Sequence, residues 1–290
     1  MKPVLMFSGK GGVGKTSISC GVALYLSRVH KVLLVSTDPC GSLASIFERD
    51  VFEEPVEVKD NLWVIELTRE KILKMWREKF GEDLYAVLSS IIPVKKDALD
   101  YIESIPGIET EFMLDFILQA LLSRKYDFII WDTAPTASIL SLLNAQFIFY
   151  QHLTQAQRIY FKVKSFFQKK PLLKLIDSWK RLTADILDML KEQTEVWLVA
   201  TPEPMPVTQA IYLEKELEKF GMKVKGIVLN RLLLENECPE CRYFQQRLKL
   251  QNKWKELLKS QTQKPVVYLQ EQEAGLSLSL LEKLGEKVIA

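Results

Sequence analysis

Near its start the chain carries a glycine-rich octapeptide whose residue types and spacing suit phosphate chemistry. Gly9 to Thr16 reads Gly-Lys-Gly-Gly-Val-Gly-Lys-Thr and fits the pattern G-x-x-x-x-G-K-[ST]. Glycines let the backbone turn tightly and aim its N–H groups at phosphate oxygens. In this pattern Lys15 reaches the β- and γ-phosphates, and the Thr16 hydroxyl ligates Mg²⁺. The nucleotide-binding residues expected here are Gly9, Lys10, Gly11, Gly12, Val13, Gly14, Lys15, Thr16 and Ser17.

Two aspartates follow apolar runs that are typical of buried strands. Asp38 ends the run that begins at Val32, and Asp132 ends the run Phe128–Trp131. Ligands bind at the carboxyl ends of parallel strands, so both carboxylates should face the phosphates. Asp132 is expected to hold Mg²⁺, directly or through water, and Asp38 to orient or deprotonate the attacking water. The alternative for each aspartate is a turn or helix cap.

Lys10 is a second lysine in the loop, and it cannot easily reach the γ-phosphate of its own subunit. A cation supplied by a neighbouring subunit stabilises transition-state charge in other nucleotide hydrolases. We therefore expect a homodimer in which Lys10 acts on the nucleotide of the partner subunit. The catalytic residues predicted from the sequence are Asp38, Lys10 and Lys15.

Cys238 and Cys241 form a C-x-x-C pair that could hold a metal. A structural zinc site takes four ligands, and one pair supplies only two. Two pairs related by a two-fold axis would complete a Cys₄ site, so the pair predicts Zn²⁺ shared between two subunits. An iron–sulfur cluster, a redox pair and an unmetallated pair are the alternatives. Cys20 and Cys40 are isolated and are expected to be core or loop residues.

The elements that must position these residues form an α/β pattern. Seven apolar runs, most of them without polar alternation, are typical of a parallel sheet covered on both faces, and helical patterns alternate with several of them. The fold class is therefore α/β, a doubly wound, mainly parallel sheet of about seven strands with an inserted helical subdomain. The predicted strands are Pro3–Phe7, Val32–Val35, Trp63–Leu67, Phe128–Trp131, Val196–Val199, Val224–Leu229 and Val266–Leu269.

Two helical segments are longer than ordinary connections between strands. We assign residues 1–67, 125–141 and 194–290 to the nucleotide-binding core, and 68–124 and 142–193 to one helical subdomain. Both segments are rich in large apolar residues. Most of these must pack as a core, and some could line a groove for an apolar client helix.

Composition limits the classes of partner. The 290 residues carry a net charge of +2, which gives no electrostatic reason to expect nucleic acid. No apolar stretch reaches the ~18 residues that a membrane span needs. The phosphate loop begins at residue 9 and leaves no room for a signal peptide. We therefore expect a cytoplasmic protein with reduced cysteines.

Together these motifs resemble a known group, the deviant phosphate-loop ATPases. The loop with its extra lysine is typical of that superfamily. Asp38-Pro39, the string from Asp132 to Thr136 and the cysteine pair are similar to its arsenical pump and tail-anchored-protein targeting branch. The likeness covers essentially the whole chain, and we expect a prokaryotic or archaeal member. The chain departs from the family pattern at Cys40-Gly41, at Ala137-Ser138 and near Gln270.

The resemblance implies a homodimeric ATPase that uses ATP, ADP and Mg²⁺ and closes on ATP. It implies that Asn230 recognises adenine, that Glu203 contacts the nucleotide, and that Gln270 and Glu271 lie in the adenine loop. It also strengthens the zinc interpretation of the cysteine pair. In the targeting branch, closure forms an apolar groove for the transmembrane segment of a client, with a membrane receptor as a further partner. Candidate groove residues are Met113, Phe116 and Ile117.

Three functions remain after these comparisons of motifs. The first is targeting of tail-anchored membrane proteins by a dimer, or by a tetramer when client is bound. The second is the catalytic subunit of an arsenite or antimonite efflux pump. The third is an iron–sulfur carrier ATPase, which shares the C-x-x-C pair but lacks such long apolar insertions.

Overall fold

The computed structural model describes residues 1–38, 42–89, 108–134, 140–141, 143–148, 150–151, 153–155, 170–234, 238, 240–272, 275 and 277–289. Within them, eight strands form one sheet in the order β3-β4-β2-β5-β1-β6-β7-β8. All neighbouring strands are parallel except β3 and β4, which are antiparallel. The strands are β1 Val4–Gly9, β2 Val32–Ser36, β3 Val56–Lys59, β4 Leu62–Glu66, β5 Phe128–Asp132, β6 Thr194–Ala200, β7 Lys223–Leu232 and β8 Val266–Gln270.

The predicted fold class is confirmed, and each of the seven predicted strands is present. The sequence did not predict β3, because its residues alternate between apolar and charged and the strand lies at the edge of the sheet. The central strands β1 and β2 are buried at every position. Their side chains alternate between two apolar clusters, one on each face of the sheet. An uninterrupted run of apolar residues is required by this two-sided burial.

Helices cover both faces of the sheet. They are α1 Lys15–Leu26, α2 Ser42–Phe47, α3 Arg69–Ser89, α4 Ile108–Leu122, α5 Lys170–Asp188, α6 Pro204–Lys219, α7 Arg242–Gln261 and α8 Leu278–Ile289, with a π-helical turn at Met189–Gln193. Along the described residues, none of these helices combines the length and apolar content that crossing a bilayer requires.

Helix α1 is held against α8 by direct contact between two backbones. A Cβ atom added at Gly285 would collide with the backbone of Gly21 and Val22, and one added at Gly21 would collide with the backbone of α8. Only glycine allows two helices to approach this closely. Since α1 follows the glycine-rich loop, the α1–α8 contact fixes the direction of the helix that begins at the phosphate site.

The predicted helical subdomain is represented by α3, α4 and α5. Trp76, Phe80, Phe112 and Trp179 make edge-on and tilted ring contacts between these helices, with centroids 5.3 to 6.1 Å apart. The first three rings belong to the same apolar cluster as sheet residues such as Leu33 and Trp131. The described helices therefore share a core with one face of the sheet. Part of the second predicted insertion, residues 142, 149, 152 and 156–169, lies outside the described residues.

Candidate functional site

The glycine-rich loop connects β1 to α1, as the sequence predicted. Gly12 and Gly14 adopt φ angles of 82° and 96°, a left-handed conformation that favours glycine. A Cβ atom at Gly14 would also lie 2.5 Å from Nδ2 of Asn230. That Nδ2 donates a hydrogen bond of 2.9 Å to the carbonyl oxygen of Val13. Asn230, at the end of β7, therefore holds the loop from the side, a contact that the sequence did not reveal.

Lys15 and Thr16 form the first turn of α1, so the N-terminus of this helix faces the loop. The Lys15 side chain is 5% exposed, and its Nζ donates to the carbonyl oxygen of Lys10 at 3.4 Å. A buried ammonium group bound to the loop backbone, together with the N–H groups at a helix N-terminus, provides a phosphate site.

Thr16 and Asp132 come together as expected for a magnesium site. The Thr16 hydroxyl donates to Oδ2 of Asp132 at 2.8 Å, although 116 residues separate them in the chain. The other oxygen, Oδ1, is buried and has no hydrogen-bond partner. A hydroxyl and a carboxylate with an unpartnered oxygen, next to a phosphate loop, fit a hard cation that prefers oxygen ligands. Across the part of the chain that the structure describes, no three His, Cys, Asp or Glu side chains are grouped to hold a metal ion.

The charge of Asp132 is poorly solvated. Burial raises the pKa of Asp132 to about 6, and the nearby Asp38 adds to this effect, while Thr16, Lys15 and Ser36 oppose it. An ionised carboxylate in such surroundings is stabilised by a nearby cation. A cation beside Asp132 would therefore offset the cost of burying its charge.

Asp38 follows β2 beside this carboxylate. Its backbone N–H donates to Oγ of Ser36 at 3.3 Å, and Ser36 Oγ donates to Oδ2 of Asp132 at 3.4 Å. The backbone N–H of Thr37 binds the carbonyl oxygen of Asp132 at 3.0 Å. The structure thus places Asp38 at the same sheet edge as Asp132 and the phosphate loop. Residues 39–41 and 135–139, which include two of the three departures from the family pattern, lie outside the described residues.

Glu66 is a buried carboxylate at this edge that the sequence analysis missed. It is 3% exposed, and its two oxygens accept hydrogen bonds from the backbone N–H groups of Leu43 at 2.8 Å and Ala44 at 3.2 Å. The available signal was a glutamate at the end of an otherwise apolar strand. Cys20 lies beneath this region as a fully buried residue, and burial, with Asp132 and Glu66 nearby, raises the pKa of its thiol.

A polar cleft of about 140 Å³ lies on the outer side of the phosphate loop. It brings Lys10 together with Glu203 and Glu271, three residues that the sequence analysis connected with the nucleotide. Arg231 and Arg247 also line it, and the sequence analysis gave them no role. Gln270 is the last residue of β8 and is exposed. Lys10 therefore lines a cleft beside the phosphate loop, together with Gly11 and Gly12.

The cysteine pair lies where β7 is followed by α7. Cys238 is exposed and Cys241 is half-buried, and the N–H of Cys241 donates to the carbonyl oxygen of Cys238 at 3.2 Å. Cys241 caps the N-terminus of α7, and the backbone N–H of Phe244 lowers the pKa of its thiol. An exposed and a half-buried cysteine, three positions apart, fit half of a tetrahedral zinc site.

The predicted groove residues lie on α4. Met113 and Phe116 are half-buried against the large apolar cluster, and Ile117 is fully buried within it. A cleft of about 280 Å³ between α3 and α4 is lined by Met75, Lys79, Phe112, Asp115 and Gln119. In this structure the accessible part of α4 therefore includes Met113 and Phe116 but not Ile117.

Comparison with known proteins relates the whole chain to one family of ATPases. The model of a family described as anion-transporting ATPase matches residues 2–289. The chain is 30% identical over 269 residues to a putative arsenical pump-driving ATPase 2 of Aquifex aeolicus, which covers 87% of this chain and 86% of the relative. It is 26% identical to ATPase ASNA1 homolog 2 of Paramecium tetraurelia, covering 86% and 81%. It is 25% identical to ATPase GET3 of Malassezia globosa, covering 85% and 77%.

Proposed function

The chain belongs to the anion-transporting ATPase family and is an ATP hydrolase, and we propose that it targets tail-anchored membrane proteins. In this proposal two copies close on ATP, form an apolar groove for the transmembrane segment of a client, and release the client to a membrane receptor after hydrolysis. Some relatives are named as arsenical pump-driving ATPases, and others are named GET3 or ASNA1 homologs. The proposal therefore chooses between two functions of one family of ATPases.

In the proposed hydrolysis, each polar group at the sheet edge has a separate task. Lys15 binds the β- and γ-phosphates, and Thr16 with Asp132 holds Mg²⁺, which offsets phosphate charge. Asp38 positions the attacking water. Lys10, which lines the cleft beside the loop, stabilises transition-state charge in the partner subunit. Asn230, Glu203, Gln270 and Glu271 surround the remainder of the nucleotide.

The distribution of thiols and apolar side chains is the observation that favours targeting over metalloid transport. All four cysteines lie outside residues 68–124 and 142–193. A metalloid effector site in the helical segment would need thiolate ligands, which those segments lack. The same segments hold accessible apolar residues on α4, including Met113 and Phe116, beside the cleft between α3 and α4. Such a surface suits an apolar helix.

The test is ATP-dependent capture of a C-terminal transmembrane helix by the Asp38→Asn protein, which should bind ATP and hydrolyse it poorly. We expect the helix to stay soluble with ATP and Mg²⁺ and to aggregate with ADP. Met113→Asp or Phe116→Asp should abolish capture, because a charge in an apolar groove is not compensated. Leu122→Asp is the matched control, since Leu122 lies on the same helix but is 62% exposed at its C-terminal end.

Stimulation by arsenite or antimonite decides between the two candidates. If no helix is held, and either metalloid increases hydrolysis by the unmutated protein, the pump function replaces the targeting function. If Leu122→Asp abolishes capture as fully as Phe116→Asp, the assignment of the groove to α4 is wrong.

A further inference from the structure

Three side chains stand in a row at the carboxyl ends of adjacent strands β4, β2 and β5. In the strand register Ser36 is paired with Glu66 on one side and with Asp132 on the other. The backbone N–H of Leu67 donates to the carbonyl oxygen of Ser36 at 2.9 Å, which continues the pairing past the strand ends. The row is therefore part of the central sheet and shares its rigidity.

The segment that follows β2 is attached to this row at described residues on both sides of positions 39–41. At its start, Ser36 Oγ accepts the backbone N–H of Asp38 and donates to Asp132. At its far end, both oxygens of Glu66 accept the N–H groups of Leu43 and Ala44. The two carboxylate oxygens accept from two consecutive backbone N–H groups. An amide side chain could not replace the carboxylate, because it has only one oxygen acceptor. Because Glu66 is 3% exposed, these charge-assisted bonds must compensate for its lost hydration.

We infer that Glu66 is a positioning residue for ATP hydrolysis: by fixing Leu43 and Ala44 to the sheet edge, it limits where Asp38, five residues before Leu43, can stand relative to Asp132. The inference rests on the proposed role of Asp38 in hydrolysis and is independent of the client. Glu66 contacts neither the phosphate loop nor Thr16 through any hydrogen bond among the described residues. Its loss should therefore affect the rate of the chemical step more than the affinity for nucleotide.

The primary variant is Glu66→Gln, which keeps the shape but turns one acceptor into an N–H donor facing a backbone N–H. We expect kcat to fall about 10-fold or more, because a displacement of roughly 1 Å in a catalytic group can cost 10²-fold. The affinity for ATP and Mg²⁺ should change less than about twofold. Hydrogen exchange at the amides of Leu43 and Ala44 should become faster. Glu53→Gln, at an exposed glutamate before β3, is the matched control and should change none of these quantities.

A double-mutant cycle with Asp38→Asn separates positioning from general structural damage. If Glu66 acts through Asp38, adding Glu66→Gln to Asp38→Asn should lower kcat by less than about twofold more. The inference would be overturned if the double variant lost kcat by the product of the two single losses, or if Glu66→Gln lowered kcat and ATP affinity in parallel. Either result would leave the proposed function intact. A fully active Asp38→Asn protein would overturn both the role of Asp38 and this inference.

Ser36→Ala tests the other attachment and covers the case in which Glu66→Gln does not fold. It removes the hydroxyl that joins Asp38 to Asp132 and leaves the strand unchanged. We expect the same separation, a lower kcat with ATP affinity maintained. A Ser36→Ala protein with unchanged kcat would show that the row of Glu66, Ser36 and Asp132 does not position Asp38.

Discussion

At the scale of single residues, Asp132 couples nucleotide chemistry to stability. Burial raises its pKa from 3.8 to about 6, so between these pH values the folded protein binds more protons than the unfolded chain. The free energy of unfolding of the metal-free protein therefore falls as pH rises through this range, by up to about 3 kcal/mol. Above pH 6 the ionised carboxylate is a net cost that a bound cation would relieve.

Asp132→Asn should remove this cost. We expect the variant to unfold at a higher temperature than the unmutated protein at pH 8 in a chelator, with the difference narrowing as pH falls below 6. Hydrolysis with Mg²⁺ should be lost, because an amide is a weaker ligand for this cation. Asp60→Asn, at an exposed position, serves as the control. A difference in stability that is the same at pH 5 and pH 8 would contradict the prediction.

Asn230 offers a second residue-level test, since its amide group donates to the Val13 carbonyl inside the phosphate loop. Asn230→Asp replaces that donor with a carboxylate oxygen that repels the carbonyl and the phosphates. We expect affinity for ATP to fall about 10-fold or more, on the scale of a lost buried hydrogen bond and an added like charge. Titration with a fluorescent ATP analogue would measure it.

The control for this change is Asn252→Asp, which alters the same residue type at an exposed position on α7. If both variants bind ATP equally well, the contact between Asn230 and Val13 does not shape the loop.

Prediction from sequence was strongest for residues whose chemistry is local. The phosphate loop lies within eight consecutive residues, and the C-x-x-C pair within four, so their patterns are complete in the chain. Glu66 could not be assigned in this way. Its partners Leu43 and Ala44 become neighbours only when β2 and β4 pair. No short sequence pattern specifies the order of strands in a sheet.

At the scale of elements, continuous apolar runs predicted the parallel strands because both faces of the sheet are covered. The alternating run Val56–Lys59 was missed because edge strands expose half of their residues. Helix α1 shows a second reason for incomplete prediction. Its approach to α8 depends on Gly21 and Gly285, which are 264 positions apart and carry no pattern that links them.

Gly285→Ala should therefore destabilise the protein by roughly 1 to 3 kcal/mol, since the added methyl group meets backbone atoms that cannot move aside easily. Chemical denaturation would measure the loss, and ATP affinity should fall as well because α1 begins at the phosphate site. Gly275→Ala is the control, since a Cβ atom there meets no atom within 4 Å. Equal stability of the two variants would show that the helices can separate without cost.

At the scale of the whole molecule, the roles proposed for the cysteine pair and for Lys10 both require a second copy of the chain. Cys238 and Cys241 supply two accessible sulfurs, so two copies should share one zinc ion. Elemental analysis of the purified protein should give about one zinc per two chains. Cys238→Ser should lose the metal and weaken the dimer, whereas Cys20→Ser, at a fully buried position, should keep the metal.

Three outcomes would contradict a shared zinc ion. One zinc per chain would place a complete site within each subunit. Iron with sulfide, and a brown colour without oxygen, would favour a cluster carrier. A metal-free protein that still forms the ATP-dependent dimer would leave the cysteine pair without this role.

The most direct test of the proposed function is the mass of the complex that the Asp38→Asn protein forms with a transmembrane helix, measured by light scattering during gel filtration. With ATP and Mg²⁺ we predict a stable complex with an even number of chains, two or four, that holds the helix in solution. With ADP the helix should be lost. A single chain in ATP, or equal retention of the helix in ATP and ADP, would contradict the account of a dimer that closes on ATP to shield its client.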